Sequence, residues 1–254
     1  MKSIYTLFLL VLPVLSVAQP LEPLEADRPD QTESAATVPS GYIQLELGGI
    51  YEHTHATHSE ITFPTLLSKY GVNDHFELRL ITEVVHVKEN AVSSSGLVPV
   101  EIGFKANLLQ EHGLVPTTSF LGHLSLPKSA SSQYTTTYYA PRFRFSMDHS
   151  LSPALSFGYN LGAEWDGESA EPIFIYTVTT GFALTDEFGA FLELYGFAPQ
   201  YASADHRFDA GVTYGFSNDF QVDLAGGVGL SPSSPEYFVG MGASLRFPVA
   251  SINR

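Results

Sequence analysis

Of the 254 residues, 15% are Asp, Glu, Lys or Arg, against roughly 25% in an ordinary soluble domain, and 13% are aromatic. The absence of cysteine excludes a disulfide framework, a thiolate metal site, a cysteine nucleophile and a lipidated lipoprotein cysteine. A formal charge of −15 with no cluster of Lys or Arg excludes nucleic acid as a partner, and a mean hydropathy of +0.06 without long apolar runs excludes a polytopic helical membrane protein.

Residues 1–18 read as a signal peptide. Lys2 supplies the positive start, Ile4 to Val17 a nearly unbroken apolar stretch, and Ser16-Val17-Ala18 the small residues that a signal peptidase requires. The apolar stretch is interrupted by Pro13 and is shorter than the roughly 20 residues needed to span a bilayer as a helix. Cleavage after Ala18 is the expectation.

Residues 19–40 form a polar, proline-bearing N-terminal segment in which Pro29 and its charged neighbours forbid the interior of a strand or helix. From Gly41 the period changes to two. Tyr237, Val239, Met241, Ala243, Leu245 and Phe247 alternate with Gly240, Gly242, Ser244 and Arg246; Phe208, Ala210, Val212 and Tyr214 alternate with Asp209, Gly211 and Thr213. Such runs predict twelve antiparallel strands, near 41–51, 58–69, 75–86, 98–109, 114–126, 137–148, 153–165, 172–184, 188–199, 206–217, 219–230 and 236–247. No helical periodicity lies between them, which excludes a parallel βαβ sheet.

The connections alternate. Those near 51–58, 87–97, 127–136, 166–171, 200–205 and 231–235 are longer; those near 71–74, 110–113, 149–152, 185–187 and 218 are tight. Short periplasmic turns facing longer extracellular loops are the pattern of an outer-membrane barrel, and an even strand count lets the sheet close without an edge. The fold class is therefore all-β, a closed antiparallel transmembrane β-barrel over 41–247, with 248–254 as a C-terminal tail.

One alternating face carries Gln44, Glu46, Glu77, Arg79, Glu83, Glu101, Lys105, Arg142, Arg144, Glu164, Glu193, Asp209, Asp223 and Arg246. A soluble barrel would turn these outward and enclose an apolar void, because side chains just fill eight strands and not twelve. Turning them inward produces a polar lumen inside a lipid-facing belt. Aromatics near strand ends, among them Tyr42, Tyr51, Tyr70, Phe188, Phe216, Tyr237 and Phe247, fit interfacial girdles.

The segment Ala26-Asp27-Arg28-Pro29-Asp30-Gln31-Thr32-Glu33-Ser34, with Val38 to Glu46 after it, resembles the opening of a bacterial outer-membrane transporter family labelled for the meta-pathway of phenol degradation. Gly71 to Arg79 and Leu184 to Phe188 resemble two further elements of that family. The resemblance implies the outer membrane of a Gram-negative bacterium, the surrounding lipid and the barrel assembly machinery as partners, and small, hydrophobic or aromatic cargo. No cofactor is expected.

Two readings of the N-terminal segment stay open: a flexible periplasmic tail, or a fold into the lower lumen. In the second, Arg28 pairs Glu46 or Glu77, and Asp27, Asp30 and Glu33 lie near Arg79 or Arg246. The lumen charges could set ion selectivity, or could pair across strands, Glu77 or Glu83 with Lys105, Arg142 or Arg144.

His123 and Ser125 have a spacing seen in outer-membrane phospholipases, but alternation turns both from the lipid and Thr135 stands where an orienting Asn would be needed. His53, His55 and His58, with Glu52 and Glu60, are weak candidates for metal ligands in the first external loop. The functional classes are an outer-membrane pore for small molecules, or a closed structural or ligand-binding barrel.

Overall fold

The computed structural model describes residues 21–249, so the expected signal peptide and the tail beyond Val249 lie outside the described residues. Thirteen strands follow in order: β1 Tyr42–His55, β2 His58–Asn73, β3 Phe76–Glu89, β4 Val92–Leu97, β5 Glu101–Leu109, β6 Thr117–Ser125, β7 Ala140–Ser152, β8 Leu155–Glu164, β9 Ile173–Ala183, β10 Phe188–Pro199, β11 Asp205–Ser217, β12 Phe220–Gly229 and β13 Tyr237–Pro248. Every pair is antiparallel, and β1 pairs with both β2 and β13, which closes the sheet.

The barrel has twelve staves because β4 and β5 share one. β4 pairs with the upper half of β3 and β5 with its lower half. Between them Pro99 has no N–H to give to a ladder, so the stave breaks at Val98-Pro99-Val100. The β6–β7 connection covers this stretch: Ser129 Oγ accepts from Val100 N at 2.8 Å and Ser131 Oγ from Leu97 N at 2.9 Å. Otherwise-open backbone edge is thereby satisfied.

The period of two sorts the faces. Leu47, Leu80, Leu161, Leu192 and Met241 point outward and are each more than 40% exposed, whereas Glu46, Glu77, Lys105, Asn160 and Glu193 point inward and are nearly inaccessible. Apolar surface of this extent on every stave requires an apolar solvent, and closed hydrogen bonding leaves no unpaired backbone for lipid to meet. Among the described residues no helix is long and apolar enough to cross a membrane; the crossing elements are strands.

Loop lengths depart from expectation in three places. β1 runs to His55 and β2 starts at His58, and β3 and β4 are likewise joined by two residues, Asn90 and Ala91. The segments expected as loops at 51–58 and 87–97 instead lengthen the strands, because their Thr, Ser, Val and His residues suit a ladder. The rim that carries both ends of the barrel has one longer connection, 110–116, where His112 and Val115 make an isolated bridge.

Candidate functional site

Residues 21–24 rest on the turn at Asn218, and residues 27–38 lie inside the barrel. Their hydrogen bonds reach Glu46 on β1, Lys69 on β2, Arg79 on β3, Lys105 on β5, Ser119 on β6, Arg144 on β7, Asn160 on β8, Thr177 on β9, Glu193 on β10, Asp223 on β12 and Met241 on β13. Only a segment within the lumen can touch staves all around the wall.

Asp27 is the centre. Its Oδ2 accepts from Lys69 Nζ at 2.9 Å and Arg79 Nη1 at 3.0 Å, its Oδ1 from Lys105 Nζ at 2.9 Å, and its N–H donates to Glu46 at 3.0 Å. Burial works against ionisation of Asp27, yet Lys105, Lys69 and Arg79 outweigh it and hold the carboxyl well below the usual carboxylate range. Lys69 also meets Glu46 at 2.5 Å, and Arg79 meets Glu77 at 3.2 Å and Glu33 at 2.8 Å. Each charge of this cluster therefore has a partner of opposite sign, without which its desolvation would cost several kcal/mol.

Arg28 leaves this cluster and lies flat on the wall. It donates to Asp223 Oδ1 at 3.2 Å and to Met241 O at 2.9 Å. The wall beneath it is the register pair Gly48 and Gly242, where an added Cβ would stand 2.1 Å from Arg28 Cζ and 2.4 Å from its Nε. Farther on, wall side chains hold the segment by its backbone: Gln31 N donates to Glu193, Glu33 N to Asn160, Ala35 N to Asp148 and Val38 N to Glu77. Thr32 Oγ1 bonds both Thr177 and Glu193. Asp30, between these anchors, is pushed well above the usual carboxylate range by burial and by the Glu193 and Asp209 carboxylates.

The segment divides the lumen into a cavity of about 660 Å³ on the side of the chain ends and one of about 610 Å³ beyond it. Arg28 and Asp30 line both. The second cavity has an aromatic wall of Tyr195, Phe197 and Phe238 around Arg207, whose guanidinium carbon is 5.7 to 6.0 Å from the three ring centres. Arg207 is also paired with Glu52 and Asp205.

Of the residues expected to face the lumen, Glu46, Glu77, Arg79, Lys105, Arg144, Glu193, Asp209, Asp223 and Arg246 are buried inside, Glu83 lines the second cavity, and Glu101 pairs with Arg142. Arg79 meets Asp27 and Glu33 as expected, and the other expected pairs are rearranged. Arg28 meets Asp223 and not Glu46 or Glu77; Lys105 meets Asp27; Arg142 takes Glu101 and Glu164; Arg246 takes Asp219 on a turn and Glu22 O. Cross-strand reasoning paired wall with wall, whereas the segment supplies the counter-charges for Lys69, Arg79 and Lys105.

His53, His55 and His58 lie on strands. His53 is 3.7 Å from Glu236, the rings of His55 and His58 sit 5.6 Å apart across the hairpin, and among the described residues no three His, Cys, Asp or Glu side chains gather as a metal site. His123 is buried with Nε2 unpartnered, facing away from lipid. Sequence reasoning passed over Lys69, Ser119, Ser146, Asp148, Asn160 and Thr177, all of which hold the segment. They share the inward alternating face, and that was the available signal.

Residues 26–247 match the sequence family described as "Putative MetA-pathway of phenol degradation". The chain belongs to this family. No curated protein matches it. Among solved structures, it resembles the COG4313 outer membrane channel from Pseudomonas putida F1, with 11% identity over 88% of this chain and 100% of that one and a TM-score of 0.65. The NanC porin is similar at a TM-score of 0.57, with 11% identity over 79% of this chain and 98% of its own. The KdgM porin follows at 0.55, with 13% identity over 80% and 99%. These similarities define the fold, a closed twelve-stave antiparallel barrel.

Proposed function

We propose that the protein is an outer-membrane channel for small molecules, exported with a signal peptide cleaved after Ala18, whose N-terminal segment plugs the lumen. The observation that carries this reading is the double occupancy of the lumen: two cavities of several hundred Å³, and between them a segment held by hydrogen bonds to eleven strands. The cavity next to the chain ends faces the periplasm. The aromatic wall of Tyr195, Phe197 and Phe238 supports hydrophobic or aromatic cargo, since flat apolar rings gain from stacking there.

Single-channel recording on the refolded protein tests both parts. The full chain is expected to conduct weakly and a variant lacking residues 19–36 to conduct more. Equal conductance overturns the plug; no conductance from either form overturns the channel and leaves a closed structural or ligand-binding barrel. Liposome swelling with neutral aromatic alcohols against sugars then ranks the cargo.

A further inference from the structure

The segment's anchoring is uneven. Among the described residues, its hydrogen bonds miss only β4, which lies at the far rim, and β11, which passes directly beside it. The neighbours of β11 are both engaged: Glu193 on β10 binds Gln31 and Thr32, and Asp223 on β12 binds Arg28. The two segment residues that line both cavities, Arg28 and Asp30, lie on this side. The junction of the cavities is therefore beside β11.

On β11 the side chain at that level is Asp209, opposite Glu193 in the ladder. It is 3% exposed, lines the second cavity, and its Oδ1 has no hydrogen-bond partner among the described residues. Asp223, 6% exposed, is in the same condition at Oδ2. A bare, buried carboxylate oxygen on the wall of the second cavity is costly unless something positive visits it, and Asp209 supplies one. The guanidinium of Arg207 on the same strand is engaged by Glu52 and Asp205, and that of Arg28 by Asp223.

We infer that the passage past the N-terminal segment runs along β11, between Asp30 and Asp209, and that the carboxylates of Asp30 and Asp209 make it selective for cations, including small organic ammonium ions. This rests on the channel reading and adds the charge of the cargo to it. The field of carboxylates lining a narrow, water-filled constriction concentrates cations and excludes anions.

The test is the reversal potential of the refolded full-length channel in a potassium chloride gradient, followed by the same gradient in an organic ammonium chloride. Potassium is expected to be preferred over chloride. At alkaline pH, where Asp30 is ionised, Asp209→Asn and Asp30→Asn should each lower that preference about fivefold, the factor for one unit charge acting at about 4 Å through water. Glu168→Gln, in the β8–β9 connection, should leave it unchanged. A conducting pore that is unselective or prefers chloride overturns the inference and spares the channel. Selectivity unmoved in both variants overturns the assignment to β11. Because Asp30 is not part of the barrel wall, its variant still decides the matter if Asp209→Asn does not refold. A silent wild-type protein overturns the channel reading and this one together.

Discussion

Lys105 reaches Asp27 across 78 residues of sequence, Nζ to Oδ1 at 2.9 Å, and both side chains are buried. Neither charge has solvent to turn to. Removing one side strands the other, so Asp27→Ala should cost about 3–5 kcal/mol of docking stability, and the freed segment should raise conductance. Urea unfolding of the refolded barrel and single-channel recording check the two parts. Unchanged values in both would show that the ion cluster holds nothing in place.

Steric eviction should open the lumen without touching a charge. The Cβ of Gly48→Ala or Gly242→Ala would overlap the Arg28 guanidinium, which must leave its bonds to Asp223 and Met241. Conductance is expected to rise in both variants. An alanine that leaves it unaltered shows that Arg28 moves aside at no cost.

Asp27 and Asp30 are three residues apart and shifted in opposite senses, which separates two effects of pH. Asp27 ionises well below its ordinary range, so its contribution to docking is present above the unfolded carboxylate pKa and is lost only as pH falls through its lowered value. Asp30, buried and faced by Glu193, Asp209 and the Thr179 hydroxyl, gains its charge at higher pH than an ordinary carboxyl. Raising pH from mildly acidic to mildly alkaline should therefore strengthen cation preference while the segment stays docked. Selectivity that weakens with rising pH contradicts this sign.

The outward face has its own test. Met241 sits mid-strand and is 63% exposed on the apolar side. Met241→Arg should cost about 2–4 kcal/mol in bilayers, the penalty of a lipid-facing charge near the midplane. A neutral result would mean that this face does not meet hydrocarbon.

Alternation is a local property, and it is why the barrel was legible: Met241 and Gly242 point to opposite faces whatever the rest of the chain does. The two places where strand prediction stopped short, 51–58 and 87–97, are polar ladders beyond the belt, where polarity resembles that of a loop and only pairing with a neighbour distinguishes them. Pro99 is visible in the sequence, but that it divides one stave between β4 and β5 depends on β3 pairing with both.

By itself the sequence determined the strand number of the closed barrel, the inward set of charges and the presence of a polar segment ahead of β1, because each follows from period, chain length and residue type. Arg79 as a partner of Asp27 and Glu33 was legible in the sequence, and tertiary structure decided the other partners. Asp27 meets Lys69 and Lys105, and Arg28 meets Asp223, because closure brings the inward faces of distant staves within reach of one segment; sequence separation carries no record of distances across a lumen.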